Sequence, residues 1–392
     1  MLTQRGRQER QEREPECGER QEISDLLSRL RNNEMKWRDR HGMLKREGYI
    51  LRPRLRPGWK PSWLRSGKNP LDCEDGEPLP LRSKCVDATH RESGRMVCIK
   101  EVKTNSPEYH AAKLMMKEDW AADHRNHCVP IMKIFEDHED HRCSYIVMPF
   151  LRPADNPPFG TVRDIIGYVS QILEGLVFLH EKGIAHRDCV MRHTLMDGEA
   201  MYPKGFHPCN LQRTEDYSAI AQHRSRATAM SEYYFVAFGI SVHIPEEVES
   251  KLVTGASGID QDPPELSDLV PYNPFMLDIF IVGNMLKREI YEKFSNVEFL
   301  APLVEAMARV TPHTRADAVQ ALAIWNGICR NLTTVHREWH LQPRGRNPIG
   351  SLSCTDRFKN NRPDYRDYCP IFAVYSSFAT SPNPLLIHTF LS

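Results

Sequence analysis

Residues 179–193 read Leu-His-Glu-Lys-Gly-Ile-Ala-His-Arg-Asp-Cys-Val-Met-Arg-His, and the context of this stretch decides the fold. Immediately upstream, Ile165, Val169, Ile172, Leu176 and Leu179 recur at three- and four-residue steps. That period is the mark of an amphipathic helix over 161–180, with Thr161 as its N-cap. A charged tripeptide, His186-Arg187-Asp188, therefore follows a long helix within a few residues.

Further upstream the pattern turns to short β-like runs. Residues 85–88 and 96–102 flank 90–94 and read as a hairpin. Residues 129–135 and 144–150 read as two more strands, separated by a charged solvated turn at 136–142. A helix is expected over 107–120, carrying Ala111, Ala112, Leu114, Met115 and Trp120. Downstream, 277–292, 300–309 and 316–329 read as helices. A β-rich first half followed by a helix-rich second half gives the fold class α+β.

Outside these runs, residues 1–35 are rich in Arg, Glu and Gln, and read as a charged, mobile or loosely helical arm. Residues 37–63 carry Trp37, Leu44, Tyr49, Trp59 and Trp63 in a Pro- and Arg-rich context, an irregular strap held on by its aromatic rings. Residues 69–80 read as a loop, and 346–392 as an irregular tail.

The chain has 392 residues, with 52 Lys+Arg balanced by 52 Asp+Glu. Zero net charge removes the simplest argument for nucleic-acid or membrane-surface binding. Residues 1–10 lack the apolar core of a signal peptide, and 276–286 is too short to span a bilayer. The eleven cysteines form no CxxC pair, so free thiols in a reducing compartment, cytoplasm or nucleus, are expected. The groups His124, His127, Cys128 and His138, His141, Cys143 match no structural zinc spacing.

Three short elements, in order, resemble the eukaryotic protein kinases: Val97-Cys98-Ile99-Lys100, His186-Arg187-Asp188, and Ala237-Phe238-Gly239. Pro263-Pro264-Glu265, a segment from Asp278, and the run ending at Arg315 stand where that family has further motifs. Within kinases the chain is most similar to a type abundant in mushroom-forming fungi. It shares Gly48-Tyr49, Leu51-Arg52, Arg54, Trp59 with Pro61-Ser62-Trp63, and an insert containing Met201-Tyr202-Pro203-Lys204-Gly205-Phe206-His207-Pro208.

The resemblance implies a bilobal fold: a β-rich lobe over 36–152, then a helical lobe over 153–345 with an insert at 197–232. It implies that Lys100 meets nucleotide phosphates and that ATP is a candidate ligand held at the hinge by Met148, Phe150 and Leu151. It implies that Asp188 stands at the general-base position, with Arg187 organising the segment beside it.

The pattern breaks where metal is needed. Phosphoryl transfer rests on ions that bridge the phosphates, and magnesium takes hard oxygen ligands. The two expected ligand positions hold Ala237 and His193, a methyl group and a nitrogen base. Between Leu81 and Lys100 the only glycine is Gly94, so a glycine-rich phosphate cradle is missing. Spacing puts His110 where a helix glutamate should pair with Lys100, and Glu108 is the nearest carboxylate.

The expectation is therefore a pseudokinase: a kinase-like protein that binds nucleotide or a protein partner, without bound magnesium. The alternative is an atypical Ser/Thr-type kinase whose metal ligands come from Asp197, Glu199 or Asp216 in the insert.

Overall fold

The computed structural model of the chain describes residues 17–81 and 83–345. The first sixteen residues of the expected arm and the expected tail lie outside the described residues.

Helices α1 (Cys17–Leu27) and α2 (Asn32–Arg46) lead into strand β1 (Tyr49–Leu51). The one-turn helix α3 (Trp63–Ser66) and three short 3-10 turns then carry the chain to β2 (Cys85–His90) and β3 (Met96–Lys103). Helix α4 (Pro107–Met115), the turn α5 (Glu118–Ala121), β4 (Lys133–Glu136) and β5 (Cys143–Pro149) complete the first unit. Its antiparallel sheet has the order β1-β2-β3-β5-β4.

The register assigns the two faces of this sheet, because directly opposed residues share a side and neighbours alternate. Asp87 pairs with Cys98, Cys85 with Lys100, Cys98 with Met148 and Lys100 with Ile146, so these side chains face one way. The other face carries Tyr145, on which Trp37 of α2 packs at 5.9 Å between ring centroids. The sheet coils enough for Tyr49 and Phe135 to stack at 6.3 Å from opposite edges.

The second unit begins with β6 (Arg152–Pro153) and helix α6 (Val162–Glu181), capped as expected by Thr161 with a reciprocal bond from Asp164. Then follow β7 (Ile184–Ala185), β8 (Thr194–Met196), the turn α7 (Arg226–Ala229), β9 (Tyr233–Phe235) and β10 (Val242–His243). Helices α8 (Pro274–Leu286), α9 (Ala301–Met307), α10 (Ala318–Asn331) and the turn α11 (Thr334–Arg337) complete the elements of the described residues. Among the described residues, no helix is long and apolar enough to cross a membrane.

Several boundaries differ from those read in the sequence. The helix expected over 107–120 ends at Met115, and Lys117 is extended before the separate turn α5. The strand expected over 129–135 is confined to Lys133–Glu136. Pro130 has no amide proton for a ladder, and the Val129 N–H is drawn away to the Phe235 carbonyl at 2.9 Å. The helix read over 277–292 passes into a π turn after Leu286.

The strap is not irregular at its start, since Trp37 and Leu44 lie on α2. From Cys17 onward the expected arm is built into the fold. Glu34 is fully buried, accepting from Arg54 at 2.7 Å, while the Arg54 guanidinium also donates to the carbonyls of Leu27, Arg29 and Asp75. The charged turn at 136–142 is likewise anchored rather than simply solvated. Asp137 is buried and accepts from Arg40 and Tyr145, both at 2.6 Å.

Candidate functional site

The His186-Arg187-Asp188 segment is held by its backbone. Asp278, buried on α8, accepts the His186 N–H at 2.7 Å and the Arg187 N–H at 2.6 Å. Arg187 itself is left-handed at φ 66. Its guanidinium donates to the carbonyls of Ile240, Thr254 and Gly255 and to the Tyr272 hydroxyl at 2.7 Å. It thus ties the segment to residues 240–272.

The His186 ring lies 4.8 Å from that of Phe238 and donates from Nε2 to the Val236 carbonyl at 2.9 Å. Nδ1 accepts the Asp188 N–H, which fixes the neutral tautomer. Burial holds the imidazole below its ordinary value.

Asp188 is fully buried. Oδ1 accepts the Ile259 N–H at 2.9 Å, and Oδ2 faces His193 Nδ1 at 3.1 Å. The His193 Nδ1–H donates to the Asp188 backbone carbonyl at 3.0 Å, and Oδ2 of the carboxylate, which faces the same ring, has no hydrogen-bond partner among the described residues. Burial pushes the Asp188 carboxyl up, but the facing His193 and the Ile259 N–H outweigh it and hold the group below the usual carboxylate range.

Gly258 makes this approach possible. At φ 134 it adopts a backbone conformation that L side chains rarely reach, and a Cβ there would stand 3.2 Å from the Arg187 carbonyl oxygen. The loop at 255–259 therefore lies directly on the carboxylate.

Lys100 on β3 pairs with Glu108 of α4. Glu108, and not His110, is the partner. Ser106 caps α4 by accepting the Tyr109 N–H, which puts Glu108 on the first turn facing the sheet. Lys100, Glu108, Met115, Met148, Ala237 and Phe238 line a cavity of about 20 Å³, room for a water molecule or two. Met148 thus shares a cavity with Lys100, whereas Phe150 and Leu151 follow in the connection between the two units. Both are buried.

Ala237 lies at the edge of this cavity with φ 68. Its methyl group and the His193 imidazole offer a hard cation no oxygen, so these positions do not fit magnesium. The candidate replacements are engaged elsewhere. Glu199 pairs with Arg95 at 3.2 Å, Asp197 accepts the Glu199 N–H, and Asp216 accepts from Thr214 and Ser218. Among the described residues, no group of three or more His, Cys, Asp or Glu could hold a metal ion.

Three relationships were not assigned from the sequence: the Ile259 cap on Asp188, the grip of Asp278 on two amides, and a pair between Glu265 and Arg315. Arg315 Nη2 donates to Glu265 Oε2 at 2.8 Å, with side chains 0% and 9% exposed. Backbone caps leave no side-chain signature, which is why the sequence reading missed the Ile259 cap. The insert also holds a buried arginine. Arg226 donates to the Tyr233 hydroxyl at 2.9 Å and to the Pro157 carbonyl.

Compared with models of protein families and with curated proteins, the chain matches none.

Proposed function

We propose that this chain has the bilobal protein-kinase fold, of the type it resembles in mushroom-forming fungi, and acts as a pseudokinase by binding rather than by phosphoryl transfer. The fold reading is supported by pairings between motif positions, two of which join segments 50 or more residues apart. Lys100 meets Glu108, Asp278 holds the backbone at His186 and Arg187, and Glu265 meets Arg315.

The observation that carries the loss of catalysis is the enclosure of Asp188. A general base must come within hydrogen-bond reach of the proton it takes. This carboxylate has no exposed surface, one oxygen on the Ile259 N–H and the other against His193. Missing oxygen ligands at 193 and 237 remove the ions that would spread charge in the transition state.

A protein partner is the ligand class that fits best, in the cytoplasm or nucleus, with metal-free nucleotide as the second. The segment that covers Asp188 also exposes Leu252, Ile259, Leu269 and Val270, apolar side chains suited to a protein surface.

The intact Lys100–Glu108 pair favours the second reading, an atypical Ser/Thr-type kinase. The two are separated by phosphate transfer from γ-labelled ATP, with magnesium and with manganese, in wild type and Asp188→Asn. The pseudokinase reading predicts equal incorporation at background. Incorporation that falls at least a hundredfold in Asp188→Asn would establish the kinase instead.

A further inference from the structure

The sheet face that carries Lys100 is covered over its other half by polar side chains from two distant segments. Extending the β1–β2 register by one residue sets Arg52 opposite Asp87, on the same face as Cys98 and Lys100. Arg52 Nε donates to Asp87 Oδ2 at 2.7 Å, Nη1 reaches Glu74 Oε1 at 3.3 Å, and Nη2 donates to Cys209 Sγ at 3.1 Å. Asp87 is 2% exposed, and its Oδ1 has no hydrogen-bond partner among the described residues.

His207 completes the cover from the insert. Its Nδ1 accepts the Cys209 and Asn210 N–H groups, which leaves the proton on Nε2, 3.4 Å from Glu74 Oε1. His207 is fully buried. At the rim, Glu77 accepts from Tyr217 and from Asn210 Nδ2 at 3.1 Å. On the side of the connection between the units, Phe206 packs on Phe150 at 6.1 Å, and the Arg152 guanidinium lies over Tyr202 and Phe206 at 4.0 and 4.3 Å.

We infer that the first half of the insert, residues 197–217, latched through Arg52, is an internal plug over the nucleotide end of the cleft, and that a purine nucleotide enters only when it is released. The inference rests on the kinase-like reading for the identity of the ligand, but not for the plug itself. Asp87 and Cys98 are opposed on the sheet face that Lys100 shares, Arg52 sits on Asp87, and His207 and Cys209 of the insert sit on Arg52. This is a charge-paired closure, since one guanidinium bridges carboxylates from β2 and from the 74–76 turn to the insert.

Cys98 reports on the plug, because it is fully buried on the covered face. The test compares peptide-resolved N-ethylmaleimide labelling in wild type, Arg52→Ala, and the rim variant Tyr217→Phe with Asn210→Ala, which leaves Arg52 and Asp87 in place. Cys128 and Cys189, buried outside the plug, are internal controls. The plug predicts that Cys98 labels at least tenfold faster in both variants at unchanged control rates. It also predicts that methylanthraniloyl-ATP in EDTA binds the variants at least tenfold more tightly than wild type. Wild-type labelling of Cys98 in a variant with an intact cooperative melt would overturn the plug. Parallel acceleration of all three cysteines in both variants would overturn it too. Faster Cys98 labelling without tighter probe binding would uphold the plug and count against nucleotide as the ligand of the kinase-like reading.

Discussion

His193 Nδ1 stands 3.1 Å from Asp188 Oδ2, and neither residue has any exposed surface. The pair makes the Asp188 carboxylate part of the core. Replacing His193 by Leu keeps the volume but leaves a buried carboxylate oxygen facing a hydrocarbon. The expected cost is about 1–3 kcal/mol, because the buried Asp188 backbone carbonyl also loses its Nδ1–H donor. Urea denaturation at pH 7 measures it.

The same variant should move the acid limb of stability. Asp188 sits below the usual carboxylate range despite burial, held there by His193 and the Ile259 N–H. A depressed carboxyl contributes stability above its unfolded value, and that stability is lost as pH falls through the folded value. Without His193 the folded value rises, so His193→Leu should begin to lose this contribution at a higher pH than wild type. Denaturation midpoints between pH 3 and 6 decide the point.

Two buried histidines act in a neighbouring window. Burial is the largest influence on His186 and His207, and it lowers both from 6.5, with Glu74 opposing it at His207. Below about pH 6.5 the unfolded chain takes up protons that the folded chain refuses, so stability falls with pH. His207→Gln should flatten the decline between pH 7 and 5.5, and an unchanged slope would remove His207 from the account.

Arg54 and Glu34 join the first helices to the strap with side chains 1% and 0% exposed. Removing one partner of a buried pair costs about 3–5 kcal/mol. Arg54→Ala should lose that much, and more than Arg38→Ala, whose side chain pairs only at the surface. Equal melting temperatures would mean that residues 17–35 contribute little to the fold.

Much of the architecture was legible because it is periodic. The Thr161 cap, the 85–102 hairpin and the long helix before His186 follow from spacing alone. Helix α2 was hidden because its apolar stripe is narrow, with Trp37, Met43 and Leu44 set among charged residues. Counting backward from 125–131 missed Glu108, since the separate turn α5 breaks the helix that the count assumed to be continuous. The site residues Lys100, Arg187, Asp188, His193 and Ala237 were visible as motif positions. Their state was not, because ion pairs such as Arg52–Asp87 and caps such as Ile259 on Asp188 follow no periodic spacing. Folding brings them together from 35 and 71 residues apart.

The central claim is that this site does not use metal to handle nucleotide. Its most direct test is a thermal-shift titration of the full chain with ATP, in EDTA and then with magnesium or manganese. A ligand that binds the folded state raises the melting temperature by linkage, so binding and its metal dependence are read together. The account predicts that either metal adds nothing to whatever shift ATP gives in EDTA. An ATP-dependent rise that requires magnesium or manganese would contradict it.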